Sequence, residues 1–170
     1  VATAKKEVPD LIIMDVMMPE MDGMEACEMI RRIPELNNVI ITFFFFLSED
    51  YSQVAGFEAG ADDYISKPIK PKVLVSKVKA LLRRLKEQES NSETLNVGGI
   101  EINREEYQII KDGKVIALPR KEFELFYLLA SKPRKVFNRD EILDKVWGNE
   151  VVVGGRTIDV HIRKLREKIG

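Results

Sequence analysis

The stretch DLIIMDVMMPEMDG, residues 10–23, decides how the first half of the chain folds. Residues 11–15 form a short apolar run ending on Asp15, which is typical of a strand buried on both faces. The segment after it, residues 24–33, has the pattern of a helix. The stretch therefore predicts an α/β unit, with Asp15 at the carboxyl end of its strand, where open α/β sheets bind ligands.

The alternation continues toward the C-terminus. VIITFFFF, residues 39–46, predicts a second buried strand, residues 49–60 a helix, and residues 63–66 a third strand. Pro71 then opens a helix whose apolar residues fall on one face: Leu74, Val78, Leu81 and Leu85. Strands alternating with helices indicate a parallel sheet with helices on both sides.

The four consecutive phenylalanines, residues 43–46, raise the question of a membrane segment. The apolar run around them, residues 39–47, is far shorter than the roughly 20 residues that a spanning helix needs. No basic and apolar leader precedes it. The single cysteine, Cys27, cannot form an internal disulfide, which fits a cytoplasmic protein. We therefore expect no membrane association.

The pattern changes after a polar, charged segment at residues 86–96, which is interpreted as a linker. Short strands are predicted at residues 100–103, 107–110 and 114–118, with a hairpin turn at Asp112-Gly113. Helices are predicted at residues 120–131, 138–148 and 156–170, and Asn138 and Glu141 stand at capping-box spacing. The chain thus divides into domains at residues 1–85 and 97–170.

The last helix carries the strongest charge signal. The net charge of the chain is −1, yet residues 156–168 hold five basic and two acidic side chains. One apolar stripe predicts a core-facing side: Ile158, Ile162, Leu165 and Ile169. The opposite side carries Arg156, Val160, Arg163, Lys164 and Glu167. Such a face is either a solvated surface or a DNA-binding surface, since arginine and lysine can bind guanine in the major groove.

Together these motifs resemble a known family over essentially the whole chain. DLIIMDVMMPEMDG and GFEAGADDYISKPI (residues 56–69) are similar to the receiver domain of bacterial response regulators. The linker, the hairpins and RTIDVHIRKLREKIG are similar to the winged-helix effector of the OmpR/PhoB subfamily. The resemblance implies a flavodoxin-like receiver of α/β class that lacks its first strands. An α+β winged helix-turn-helix domain that lacks its wing would follow it.

The resemblance also implies roles for particular residues of the receiver. Asp15 would accept phosphate from a sensor histidine kinase, and Lys67, before a Lys-Pro bond that is usually cis, would contact the phosphoryl group. Asp15 and the backbone carbonyl of Met17 would help to bind Mg²⁺. Tyr64 would change rotamer with the signalling state. Phosphorylation would favour a homodimer through a surface that contains Glu58, Asp63, Lys77 and Arg84.

In the effector, the resemblance implies that one side of the last helix binds double-stranded DNA: Arg156, Thr157, Asp159, His161, Arg163, Lys164 and Arg166. Trp147 is either a core residue or lies near the DNA backbone. The loop at residues 149–155 is the region that in relatives contacts RNA polymerase, although its valines could equally pack in the core.

The chain departs from the family pattern in three places. It begins ten residues before the Asp15 strand, without the strand that carries the acidic pair of the Mg²⁺ site, and it stops before the wing. Phe45 stands 22 residues before Lys67, at the position of the switching Thr or Ser. We expect a fragmentary sequence whose metal site is incomplete, and a mutation or sequence error at Phe45 or an impaired receiver.

Three functions are compatible with these residues. The first is a transcription regulator of a two-component phosphorelay, phosphorylated on Asp15. The second is a phospho-independent DNA-binding regulator with a degenerate receiver. The third, an aspartyl-phosphate enzyme, would place a general acid two residues after Asp15, where this chain has Met17. We therefore expect that the protein is not an enzyme.

Overall fold

The structure is a computed structural model that describes residues 1–46, 53–89, 93–148 and 155–170. Its elements form two sheets with their own helices. The elements of the first half are α1 (Ala2–Glu7), β1 (Leu11–Asp15), α2 (Gly23–Arg31), β2 (Ile40–Phe46), α3 (Gln53–Ala59), β3 (Asp63–Lys67) and α4 (Pro71–Glu89). A single 3₁₀ turn, Pro34–Leu36, precedes β2.

The first sheet is parallel, as the sequence predicts, and its strand order is β1-β2-β3. Asp15 pairs with Phe44, and Phe46 pairs with Lys67. The register therefore brings the carboxyl ends of all three strands to one edge. The expectation that β1 is buried on both faces is wrong, because Ile13 is 39% exposed. Ile13 lies on the same face of the sheet as Phe46, which is 45% exposed, so the described residues do not cover that face completely.

The four phenylalanines alternate between the two faces of β2, as strand geometry requires. Phe43 and Phe45 are buried in a core that includes Ile30 and Phe57. Phe44 and Phe46 point to the other face, where Phe46 is 45% exposed. The run is thus an ordinary strand, and no helix in the described part of the chain is long and apolar enough to cross a membrane.

The second half begins with an antiparallel sheet of four strands: β4 (Thr94–Val97), β5 (Ile100–Asn103), β6 (Gln108–Lys111) and β7 (Lys114–Ala117). Its first strand, β4, overlaps the end of the segment interpreted as a linker, and α4 extends into that segment as far as Glu89. The TLNV sequence of β4 alternates polar and apolar residues, and Leu95 packs against the second core. The segment between the two domains is therefore shorter than its polar composition suggests.

The helices of the second half are α5 (Arg120–Ser131), α6 (Arg139–Ile142) and α7 (Arg156–Ile169). A π-helical segment, Leu143–Trp147, continues α6. The cap predicted at Asn138 is present, because its side chain accepts a hydrogen bond of 2.8 Å from the Glu141 N–H. These helices and the second sheet enclose a separate hydrophobic core.

Candidate functional site

Asp15 and Lys67, which are 52 residues apart in the sequence, meet at the carboxyl edge of the first sheet. The Lys67 ammonium donates to Oδ2 of Asp15. The Met17 N–H donates to Oδ1 of the same carboxylate at 2.9 Å. The peptide bond between Lys67 and Pro68 is cis. The two residues that the resemblance assigns to phosphoryl chemistry therefore form an ion pair at the edge where parallel sheets bind ligands.

Two of the four phenylalanines hold this lysine in place. The Lys67 Nζ lies 4.8 Å from the ring centroid of Phe44 and 4.9 Å from that of Phe46. Both distances are typical of cation–π contacts, which attract an ammonium to the face of a ring. Phe44 and Phe46 therefore hold Lys67 beside Asp15. Phe43 and Phe45, on the other face of the strand, pack in the core.

The residues around Asp15 do not fit a magnesium ion. Mg²⁺ requires oxygen ligands in a near-octahedral arrangement. Both carboxylate oxygens of Asp15 accept hydrogen bonds from nitrogen. Within the described ranges, no three His, Cys, Asp or Glu side chains come together as a candidate metal site. The metal-binding roles of Asp15 and Met17 therefore stay a prediction.

Phe45, at the position expected to carry a switching hydroxyl, is buried against Tyr64. Their ring centroids are 5.3 Å apart, and the Tyr64 ring also contacts Phe57 at 4.8 Å. Gly56 allows this packing, since a Cβ at that position would lie 1.7 Å from the Tyr64 hydroxyl oxygen. Tyr64 is thus held on several sides by aromatic packing, and Phe45 offers no hydroxyl for a hydrogen bond.

The apolar stripe of α7 faces the second core, as the sequence predicts: Ile158 and Leu165 are buried there, with Ile162 and Ile169 packed against them. The opposite side does not face solvent throughout. Val160, expected there, is buried against the core of the first domain. Helix α7 is therefore buried on two sides, because it lies between the second core and α3.

The side chains proposed to bind DNA divide into two groups in this arrangement. Arg156, Asp159, Arg163 and Arg166 are exposed. Thr157, His161 and Trp147 are buried, and Lys164 is half-buried. The exposed Arg139 donates to Asp159 at 2.7 Å, which links α6 to α7. Only the first group is available to a DNA duplex without movement of the two domains.

Specific polar contacts join α7 and its neighbours to the first domain. Lys164 donates to the carbonyl oxygens of Phe57 and Glu58, which lie in the last turn of α3. Arg163 forms an ion pair with the Glu58 carboxylate. The Trp147 indole N–H donates to the carbonyl oxygen of Asp62 at 2.7 Å. These contacts hold the two domains in a closed arrangement.

The four residues predicted at a dimer interface all lie on the receiver surface that contacts the effector, which we call the closed face. Glu58 pairs with Arg163, and Arg84 donates to the carbonyl oxygens of Asp144 and Lys145, both at 3.1 Å. Gly148 makes this approach possible: its φ is +92°, and a Cβ there would lie 1.5 Å from Arg84. Asp63 and Lys77 line a cavity on the same face. The surface cannot hold the effector and a second receiver at once.

Sequence reasoning missed a buried ion pair between Arg31 and Asp62. Arg31 donates to the Asp62 carboxylate at 2.6 Å and to the carbonyl oxygens of Val39 and Gly60 at 2.8 and 2.9 Å. Asp62 also accepts from the Ile41 N–H at 2.9 Å. No local pattern indicates this pair, since the two residues are 31 positions apart and each looks like surface charge.

Two buried groups on the closed face make the free energy of unfolding depend on pH. Burial raises the pKa of Asp63 to about 6, against an ordinary value of 3.8. Burial lowers the pKa of His161 to about 4, against 6.5. Asp63 therefore contributes stability at low pH that is lost as pH rises from 3.8 to 6, and His161 contributes stability that is lost as pH falls from 6.5 to 4.

Because the two effects oppose each other, single variants should separate them. We expect Asp63→Asn to lose stability steadily as pH falls from 7 to 5. We expect His161→Gln to gain stability over the same range. Urea unfolding followed by tryptophan fluorescence at pH 5, 6 and 7 measures both trends. Identical pH profiles in the two variants would show that these groups do not control the dependence.

In the described residues, an α/β domain with an Asp–Lys pair at the carboxyl edge of its sheet is followed by an antiparallel sheet and three helices. This combination defines a two-domain response regulator. The family model "Response regulator receiver domain" matches residues 1–79, and "Transcriptional regulatory protein, C terminal" matches residues 113–170. The chain belongs to the OmpR/PhoB-type response regulators.

Known response regulators are similar in sequence to nearly the whole of this chain. The DNA-binding response regulator MtrA of Mycolicibacterium smegmatis is 39% identical over 168 residues, covering 98% of this chain and 72% of MtrA. The phosphate regulon transcriptional regulatory protein PhoB of Rhizobium meliloti is 38% identical, with 97% and 72% coverage. A solved structure of a RitR mutant has a TM-score of 0.76 at 24% identity, covering 99% of this chain and 73% of RitR, which shows a shared fold.

Proposed function

We propose that this chain is a DNA-binding transcription regulator of a two-component phosphorelay, in which the receiver controls access to α7. The observation that carries the proposal is the docking of α7 on the receiver, where Lys164 binds the end of α3. A basic helix that is partly covered by a receiver can bind the major groove fully only after the domains separate. The similarity to MtrA, a DNA-binding response regulator, supports this assignment.

The proposed input is phosphorylation of Asp15 by a sensor histidine kinase. A phosphoryl group on Asp15 adds negative charge beside Lys67, whose ammonium already binds this carboxylate. A change at this edge can shift the population between closed and open arrangements. The regulator would act in the cytoplasm as part of a phosphorelay, and the kinase is its proposed upstream partner.

The proposed output is a homodimer on double-stranded DNA. Glu58, Asp63, Lys77 and Arg84 would move from intramolecular contacts to contacts between two receivers. Exposed ion pairs contribute only about 0–1 kcal/mol each, so the dimer should form weakly unless phosphorylation favours the open state. The RNA polymerase contact predicted for residues 149–155 concerns a loop of which the structure describes only Gly155.

A second candidate is a regulator that binds DNA without phosphorylation. Two observations favour it: Phe45 supplies no switching hydroxyl, and the described residues around Asp15 do not fit Mg²⁺. Labelling separates the two candidates. Incubation with ³²P-labelled acetyl phosphate and Mg²⁺ should label the chain and leave Asp15→Asn unlabelled if Asp15 is the phosphoacceptor.

The same samples should be assayed for binding to a DNA duplex. The first candidate requires label on Asp15 and tighter DNA binding after labelling. An unlabelled chain that still binds DNA would overturn the first candidate and support the second. Neither label nor DNA binding would contradict both.

A further inference from the structure

A cavity of 420 Å³ lies between the two domains, on the closed face. Its walls come from β3 and α4 of the receiver and from the residues around Trp147 of the effector. Ile65, Leu81 and Trp147 lie in its wall and are 1%, 8% and 1% exposed, so they add only a small apolar and aromatic area. A cavity of this size at a domain interface, lined by charged groups around a small apolar area, has the general character of a small-molecule site.

Asp63 is the polar group of this cavity that most needs a partner. The residue is 4% exposed, and Oδ1 accepts a hydrogen bond from the Tyr64 N–H at 2.6 Å. Oδ2 has no hydrogen-bond partner in residues 1–46, 53–89, 93–148 and 155–170. Among the described residues, Thr42 Oγ1 is the fully buried side-chain polar atom that lacks a partner, so Oδ2 of Asp63 is open to the cavity. Burial of the residue raises the pKa of Asp63.

Lys77 is the second inner charge of the cavity. It is half-buried, and among the described residues it forms no ion pair within 4.0 Å, although its positive charge acts on Asp63. The other basic groups near Asp63 are already engaged. Arg84 binds two effector carbonyls, and Lys121 binds Glu124 and the Val146 carbonyl.

The remaining charges lie at the rim. Arg83 pairs with Glu87 at 3.7 Å along α4, and both are exposed. Asp144 and Lys145 are exposed on the effector side. The interior of the cavity therefore presents one negative and one positive group that do not neutralise each other directly, above an apolar wall.

We infer that this cavity binds a small zwitterion of the amino-acid type. Its ammonium group would bind Asp63, its carboxylate would bind Lys77, and an apolar side chain would pack on Leu81 and Trp147. Because the walls belong to both domains, such a ligand binds the closed arrangement and stabilises it against opening. The inference stands independently of the proposed phosphorylation.

The single tryptophan makes binding directly measurable, because Trp147 lines the cavity and is buried in the closed arrangement. The probe is L-phenylalanine, which does not absorb at the 295 nm used to excite tryptophan. Titration of the full chain should give a saturable change in Trp147 emission. Phenethylamine and 3-phenylpropionate, which each lack one of the two charges, should bind at least about tenfold more weakly.

Matched variants test each contact. Asp63→Asn should weaken binding of L-phenylalanine about tenfold or more and leave binding of 3-phenylpropionate unchanged. Lys77→Met should also weaken binding of L-phenylalanine, but it should leave binding of phenethylamine unchanged. Lys79→Met, an exposed lysine on the same helix that does not line the cavity, is the control for Lys77. Asp140→Asn, exposed on α6, is the control for Asp63.

Ala80→Leu provides a test that does not alter charge, because Ala80 lines the cavity and a larger side chain there reduces its volume. This variant should lose L-phenylalanine binding and keep a folded fluorescence spectrum. Binding that does not saturate, or that is equally strong in Asp63→Asn and Lys77→Met, would overturn the inference. A folded Ala80→Leu protein with unchanged affinity would overturn it as well.

Discussion

Reversing the charges of Arg163 and Lys164 together is expected to weaken binding to duplex DNA by roughly 100-fold. Both residues lie on the basic side of α7, and Arg163 is exposed even in the closed arrangement. The reversal removes two positive charges that can neutralise phosphates and adds two negative charges that repel them. It should also make the affinity less dependent on salt, because fewer counterions are released on binding.

Replacing Lys164 also has a second effect, which acts on DNA affinity in the opposite direction. Lys164 also holds α7 on the receiver, so its replacement favours the open arrangement and would by itself help DNA binding. Arg163→Glu/Lys164→Glu should therefore be compared with Lys86→Glu, an exposed charge reversal on α4. Titration of a fluorescein-labelled 30-base-pair duplex at several salt concentrations gives affinities and salt slopes. Equal slopes for the chain and the double variant would refute the placement of DNA on α7.

The second large effect concerns stability. Asp62→Ala is expected to lower the free energy of unfolding by about 3–5 kcal/mol, because it leaves the buried Arg31 guanidinium without its counterion. The side chains of Arg31 and Asp62 are 9% and 1% exposed, so water cannot replace the lost contact. The variant also removes the acceptor of the Ile41 N–H inside the first sheet.

Urea unfolding at pH 7 measures this change. Arg32→Ala is the matched control, since Arg32 is adjacent and exposed, and it should change stability by less than about 0.5 kcal/mol. Arg31→Met combined with Asp62→Ala should be less destabilised than the sum of the single variants, because the two charges are coupled. Additive losses, or a loss below about 1 kcal/mol for Asp62→Ala, would show that the pair is not coupled.

Local patterns predicted much of the architecture because each depends on neighbouring residues. The apolar run before Asp15 predicted a strand, and the order of strands and helices predicted a parallel sheet. Since parallel strands end at the same edge, the sequence pattern is sufficient to place Asp15 and Lys67 together. The stripe of α7 likewise identified the side that faces the second core.

The sequence alone therefore determined the family, the class of each domain and the polar groups at the edge of the sheet. Only the tertiary structure decided that α7 is buried on a second side, that Arg31 pairs with Asp62, and that Asp63 lies in a cavity between the domains. The periodicity of apolar residues along a helix or strand predicts which face of that element is buried. A contact between two already folded domains produces no such periodic pattern in the sequence. Charged residues such as Lys164 and Glu58 have the same sequence pattern whether water or another domain covers them.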